Sequence, residues 1–340
     1  MGQLAHVGEM LAIHARLFPD KIGAGDLERT ITFRLWYSRA CRLANALTGI
    51  GLTKGDRVCV LAYNCLEWLE IYAASALAGL VAVPVNFRLT GPEIRYIVEN
   101  CEARAMLVQG ELVAAVQGVR AELSVPADNF IMLGQERCPA GYRAYEDFIA
   151  QARDSRPSVD VSGGDPWTLM YTSGTTGKPK GAIRSHRGGA MLSLVTEVEL
   201  GISRQDAALL VMPMCHANSL YFFGAFHYCG AACTVYSRKS FDPEHLVRTL
   251  AAGATTFTSL VPTHYSMMVD LPAAVRSRYN VDAVTKLMIS SAPAWRETKL
   301  AIVVTSQSVM SSDAQKGLGF VPDFQALTTW DEAERKRRQT

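Results

Sequence analysis

Residues 171–181 read YTSGTTGKPKG. Gly174 and Gly177 let a backbone approach an anion closely and adopt positive φ. Thr172, Ser173, Thr175 and Thr176 add hydroxyl donors beside the backbone N–H groups, and Lys178 and Lys180 supply cations. This composition suits a loop wrapped around phosphate. A Walker A loop needs Gly, four residues, Gly-Lys and then Ser or Thr, whereas here two residues separate Gly174 from Gly177-Lys178-Pro179, so spacing and proline both reject it. A polar turn between two strands is the plainer reading, and the SGTTG core alone would favour it.

Outward from this stretch, short apolar runs alternate with segments of helical spacing. Residues 30–33 and 57–63 read as strands, and 35–49 as a helix with Leu43, Ala46 and Leu47 on one face. A helix over 67–79 leads to a strand at 81–85. Another over 90–100, opened by Thr90 and Glu93 as a capping box, hands over to a strand at 105–108. Between 126 and 164 the pattern lapses around Pro139, Gly141, Pro157, Gly163 and Gly164, which marks a subdomain boundary. It resumes with strands at 167–172, 181–184, 208–212, 232–236, 256–260 and 286–290. Helices are expected at 189–200, 221–228 and 243–252, with one more from Pro262. The predicted fold class is α/β: a large unit, 1–300, of two βα subdomains (about 1–163 and 164–300) with mostly parallel sheets.

Composition narrows the function classes. The 340 residues, 49% hydrophobic and 19% charged, suffice for two packed subdomains. A net charge of +2 lacks the basic excess expected of a nucleic-acid partner. Eight cysteines, without a CxxC pair and in apolar surroundings, favour reduced core thiols in a cytoplasmic protein over disulfides or zinc. Residues 207–237 contain no Asp, Glu, Lys or Arg, enough to span a bilayer, yet Pro213, His216, Asn218, Gly224, His227 and Gly230 interrupt them. They read as buried strand, loop, helix and strand, and no transmembrane segment is expected. The N-terminus lacks the basic and apolar regions of a secretory signal.

At its full length the stretch 171–181 resembles the phosphate-binding signature of the adenylate-forming enzymes, the superfamily of acyl-CoA synthetases, nonribosomal-peptide adenylation domains and luciferases. The resemblance implies that Thr172, Ser173, Gly174, Thr175, Thr176, Gly177, Lys178 and Lys180 carry the β- and γ-phosphates of ATP. Lys178 and Thr172 then serve catalysis, with the Thr172 hydroxyl near Mg2+. Lys180, at the strand edge, has the alternative of pairing with a surface carboxylate. Residues 212–219, MPMCHANS, resemble the family's Pro-x-x-His stretch that walls the acyl pocket, which makes His216, Ala217 and Asn218 substrate-binding candidates. A lone His in an apolar run is otherwise a satisfied core residue, and Tyr221, Phe222 and Phe223 read as core or pocket lining. Ser291, Ala292 and Pro293 stand where the family sets a small-residue loop against adenine, although Ser-Ala-Pro is also an ordinary turn. Residues 76–90 with Glu93 and Ile94 resemble the family's Gly-x-x-x-Val-Pro-Val-Asn segment, with a structural role.

The likeness covers residues 10–300, the N-terminal large domain, and is greatest to acyl-CoA synthetases that use a free carboxylic acid. It implies ATP, Mg2+ and, as co-substrate, CoA, a small fatty or aryl acid as substrate, and room for a homodimer. Past Lys299 the family's Tyr-Gly-x-Thr-Glu motif, ribose-binding Asp, hinge and small C-terminal domain with its catalytic lysine are expected, and 301–340 contain none of them. These residues read as a solvated, partly disordered tail. The change predicts a truncated, alternatively spliced or frame-shifted product that adenylates slowly or not at all. A non-catalytic nucleotide or acyl binder acting on an intact relative is the alternative, and a phosphate-binding NTPase that releases ADP is the third.

Overall fold

A computed structural model describes residues 6–134, 137–172 and 178–289. The chain opens with α1 (Val7–Leu17), which was not anticipated, then the hairpin β1 (Ile22–Gly25) and β2 (Thr30–Thr32). Thr32 caps α2 (Phe33–Gly49), its hydroxyl accepting from the Leu35 N–H at 3.3 Å. There follow β3 (Arg57–Leu61), α3 (Glu67–Ala78), β4 (Val81–Val85), α4 (Gly91–Asn100), β5 (Ala103–Gln109) and α5 (Val113–Gln117). The expected capping box of α4 is present: the Thr90 N–H donates to the Glu93 carboxylate at 2.8 Å. The span 126–164, expected to be irregular, holds β6 (Phe130–Leu133), β7 (Arg143–Ala144) and α6 (Tyr145–Ala150).

Next come β8 (Pro166–Thr172), β9 (Lys180–Ser185) and α7 (His186–Leu200). Helix α7 starts three residues before the expected position because the Ser185 hydroxyl accepts from the Gly188 N–H. The remainder is β10 (Ala207–Leu210), α8 (Ala217–Cys229), β11 (Ala232–Val235), α9 (Pro243–Ala252), β12 (Phe257–Leu260), α10 (Pro262–Val269), α11 (Ala273–Arg276) and β13 (Lys286–Ile289). The charge-free run 207–237 is thus strand, loop, buried helix and strand, and among the described residues no helix is long and apolar enough to cross a membrane.

The strands form two sheets, ordered β7-β6-β5-β3-β4-β8-β9 and β13-β12-β10-β11-β1-β2. Every neighbour is parallel except the hairpin pairs β8–β9 and β1–β2. A boundary near residue 163 does not separate these sheets. Strands β8 and β9 join the first sheet, beside β4, whereas β1 and β2 join the second, where Ala24 pairs with Cys233. The exchange follows burial: Trp167 of β8 is buried, and its indole N–H donates to the Tyr72 carbonyl on α3 at 3.0 Å.

Side-chain alternation along the strands divides the core into layers. Val58, Val60, Ala82, Ala105 and Leu107 of the first sheet and Ala208, Leu210 and Cys233 of the second face one shared core with α1, α2, α3 and α8. Cys59, Leu61, Val83 and Met106 face a separate core under α4, and Leu209 and Leu260 face a third with α9 and α10. The result is a helix–sheet–helix–sheet–helix stack. Its middle layer is tight: a Cβ on Gly224 of α8 would lie 2.7 Å from the Ser193 hydroxyl of α7.

Helix α1 docks in that layer through buried histidines. The His14 Nε2–H donates to the His227 carbonyl at 3.0 Å, and the His227 Nε2–H donates to the Val7 carbonyl at 2.9 Å. His6 and His186 pack ring to ring at 4.9 Å, with no hydrogen-bond partner at any ring nitrogen among the described residues. Burial lowers the His186 pKa to about 4 and that of His227 to about 3. The His186 and His227 rings are therefore neutral in the fold near pH 7.

Candidate active site

The carboxyl ends of parallel strands leave a crevice in sheets of this kind, and here the ends of both sheets meet. Tyr63 and Asn64 follow β3, Phe87 and Arg88 follow β4, Val211 to Pro213 follow β10, and Tyr236 and Arg238 follow β11. Together with His216, Lys239, Phe241 and His264 they line a cleft of about 260 Å³. Its wall is built by Asn64, whose side-chain amide donates to the carbonyls of Val211, Met212 and Tyr236 at 3.2–3.3 Å. The Asn64 Oδ1 accepts from the Met214 N–H at 2.8 Å, and Tyr72 donates to the Met214 carbonyl at the same distance. One buried asparagine from the first sheet thus holds the loop that carries His216.

His216 is the N-cap residue of α8 and stands exposed at the cleft rim. Loss of water beside the cleft walls, then the Arg88 guanidinium, holds its imidazole below the usual histidine range. Ala217 is exposed at the first turn of α8, and Asn218 donates to the Ser259 hydroxyl at 3.0 Å. Asn218 therefore braces α8 against β12, and neither it nor Ala217 lines the cleft. Phe222 and Phe223 are buried, the Phe222 ring packing at a tilt 4.7 Å from that of Phe257, so they belong to the core.

Arg88, Arg238 and Lys239 bring positive charge to the cleft, and no carboxylate is among its described lining residues. Lys239 pairs with Glu111 at 2.8 Å, and Arg238 with Asp242 at 3.6 Å. Phe241 and His264 stack face to face at 3.8 Å, giving the cleft a flat aromatic wall. Such a surface attracts a carboxylate or phosphate. Sequence reasoning passed over Asn64, Arg238, Lys239 and His264 and assigned Phe87 and Arg88 a structural role. The usable signal was position: each follows the carboxyl end of a strand.

Tyr171 and Thr172 at the end of β8 pair with Gly181 and Lys180 at the start of β9. Residues 173–177 lie outside the described residues, so the expected phosphate contacts of Ser173, Gly174, Thr175, Thr176 and Gly177 rest on sequence. The expected adenine contacts of Ser291, Ala292 and Pro293 likewise lie outside the described residues. Thr172, Lys178 and Lys180 are exposed, and neither lysine forms an ion pair among the described residues. The Lys178 ammonium lies 5.5 Å from the Tyr96 ring centroid. Tyr96 donates to the Pro179 carbonyl at 3.1 Å, and Tyr171 donates to the Asn100 side chain at 2.5 Å. Helix α4 thus grips both limbs of the hairpin. Ala82 pairs with Thr168 in parallel register, which sets β8 beside the strand that leads into the cleft residues Phe87 and Arg88. The described hairpin residues do not line the cleft.

Residues 11–314 match the family described as AMP-binding enzyme. The chain is 34% identical over 252 residues to a long-chain-fatty-acid–CoA ligase of Thermus thermophilus, covering 74% of this chain and 45% of that protein. It is 30% identical over 268 residues to an indoleacetate–CoA ligase of Aromatoleum aromaticum, covering 78% and 51%. The chain therefore spans about half the length of these relatives. Its fold superimposes on the anthranilate CoA ligase AuaEII, solved with anthranoyl-AMP, with a TM-score of 0.83 at 21% identity over 90% of this chain and 59% of that one. The chain belongs to the AMP-binding enzyme family.

Proposed function

We propose that the chain carries the nucleotide- and acid-binding part of an acyl- or aryl-CoA ligase. In that reaction a carboxylate attacks the α-phosphorus of ATP, pyrophosphate leaves, and the acyl-adenylate then forms a thioester with CoA. The observation that carries this reading is the parallel pairing of β8 with β4, Ala82 opposite Thr168, because β4 runs directly into the cleft residues Phe87 and Arg88. It sets Thr172 and two lysines that form no ion pair among the described residues on a hairpin next to the strand leading into a cationic, aromatic cleft with His216 at its rim. Lys178 neutralises the leaving phosphates, and its seat over Tyr96 keeps it available until a stronger anion arrives. His216 and Arg88 orient the acid's carboxylate, and a cleft of about 260 Å³ has room for an aryl acid or the head of a fatty acid.

Magnesium fits only as part of the nucleotide complex. Among the described residues no three His, Cys, Asp or Glu side chains group to hold a metal, and Thr172 offers one hard hydroxyl oxygen. That suits an ion coordinated mainly by phosphates and water. The ion supplies charge neutralisation at the phosphates.

Residues 301–340 lack the acidic and lysine motifs that complete adenylation in the family pattern. The 340-residue polypeptide, assayed by itself, is therefore expected to bind ATP and to turn over slowly or not at all. Calorimetric titration with MgATP and ATP–pyrophosphate exchange test this together. Saturable binding with little exchange is expected. Absence of binding would refute the nucleotide site, brisk exchange would refute the slow turnover, and release of ADP with phosphate would point to an unrelated NTPase.

A further inference from the structure

All eight cysteines are free thiols, and two of them touch. Cys59 in β3 and Cys101, the residue after α4, place their sulfurs 3.7 Å apart in the core under α4. The contact has a direction. The Cys101 S–H faces the Val98 carbonyl at 3.5 Å, which leaves its lone pairs to accept the S–H of Cys59. Arg57 clamps the same turn: Nε donates to the Cys101 carbonyl at 2.5 Å, and Nη2 to the Glu102 carbonyl and carboxylate at 2.9 and 3.0 Å. Glu102 is the one non-glycine residue at positive φ among the described residues, at 51°. A cation, a sulfur donor and a strained turn therefore converge on Cys101.

The electrostatics agree with that geometry. The Cys59 hydrogen bond, aided by Arg57, holds the Cys101 thiol below the ordinary cysteine range despite its burial, and the same bond raises that of Cys59. Burial raises the other six thiols. Thiolate character governs attack by oxidants.

We propose that Cys59 and Cys101 form a peroxide-responsive thiol pair, in which Cys101 is oxidised first and Cys59 resolves it as a disulfide. The Cys101 sulfur displaces hydroxide from hydrogen peroxide and becomes a sulfenic acid, and the thiol's proton leaves with that hydroxide as water. The Cys59 sulfur then attacks the sulfenic sulfur, expelling hydroxide that takes the Cys59 proton as a second water. One peroxide is reduced and two thiols are oxidised. The sulfurs must close from 3.7 Å to about 2.05 Å, which side-chain rotation and a shift of the α4 end supply.

That shift reaches the hairpin, because Asn100, next to Cys101, accepts from Tyr171. Oxidation thereby loosens the anchor of β8. This second step bears on the nucleotide site and rests on the reading above, whereas the thiol chemistry stands apart from it.

The test is treatment of the reduced chain with hydrogen peroxide, quenching with an alkylating reagent, and peptide mass mapping. Loss of two of the eight thiols as a Cys59–Cys101 peptide is expected, with Cys101 reacting about ten-fold faster than any of the other six. Cys59→Ser, with folding checked by urea melting, should stop at a Cys101 sulfenic acid that dimedone traps, and Arg57→Gln should slow the first step. A folded chain in which Cys101 reacts no faster than the rest, or in which the linked peptide never forms, overturns the proposal. Amide exchange at Tyr171 and Thr172 should quicken in the oxidised form. Unchanged exchange beside an intact disulfide overturns the link to the hairpin, and failure of ATP binding would fall on the functional reading alone.

Discussion

Acidification from pH 7 to pH 5 should weaken this fold through buried histidines. His186 and His227 have pKa values of about 4 and about 3 in the folded chain, against 6.5 in the unfolded one. Because the folded values are depressed, their stabilising contribution is complete above pH 6.5 and is lost as pH falls from there towards 4. At pH 5 the unfolded chain has taken up a proton on each that the native chain has not. Each proton costs about 1.4 kcal/mol per pH unit, so the loss is about 2 kcal/mol per histidine and about 4 kcal/mol for the pair. His6 and His14 are shifted in the same direction and add to it. Glu70, raised by burial, works in the opposite sense. Against a usual total of roughly 5–15 kcal/mol the effect is large. Urea midpoints at pH 7, 6 and 5, read by tryptophan fluorescence, measure it. The informative variant is His186→Phe, since neither ring nitrogen of His186 has a partner among the described residues and the ring lies 6.3 Å from Trp167 in a near-parallel stack. It should match the wild type at pH 7 and lose about 2 kcal/mol less on going to pH 5. Equal pH slopes in the two proteins would refute the reasoning.

Three further outcomes are expected. Lys178→Ala should raise the Kd for MgATP about ten-fold or more by calorimetry while leaving the urea midpoint unchanged, since the side chain is exposed and forms no ion pair among the described residues. His216→Ala should alter the ranking of carboxylic acids in a binding screen and leave ATP affinity within about two-fold; equal loss of both would undo the division of roles. Asn64→Ala should cost about 2–4 kcal/mol in urea unfolding, because buried carbonyls at Val211, Met212 and Tyr236 and the Met214 N–H lose their partner. A cost under about 0.5 kcal/mol would show that water replaces the amide without penalty.

Elements carrying their own local signal were readable in the sequence. Residues 81–85, VAVPV, are apolar throughout with three valines, and 243–252 follow an Asp-Pro start, so both were located to the residue. Helix α1 was missed because its inward face includes His14, a polar residue whose burial depends on a carbonyl of α8, distant in sequence. Sheet membership was equally hidden: β1 is four residues, IGAG, with no strand propensity beyond what β11 confers by pairing. At the candidate site, the Pro-x-x-His context singled out His216, which the fold sets at the cleft rim. Asn64 looked like an ordinary loop residue, since its function is defined by three carbonyls that the chain delivers much later.

The placement of β1 has a consequence for biosynthesis. The Lys21 ammonium donates to the Gly230 carbonyl across 209 residues, and Ala24 pairs with Cys233 beside it. At a synthesis rate of roughly 5–20 residues per second, the first hairpin waits about 10–40 s for its partner strand. Meanwhile the inward face of α1, with Leu11 and His14, has no α8 to cover it. The amino-terminal hairpin is thus the first part of the second sheet to be made, yet it can join that sheet only after β11 has followed it.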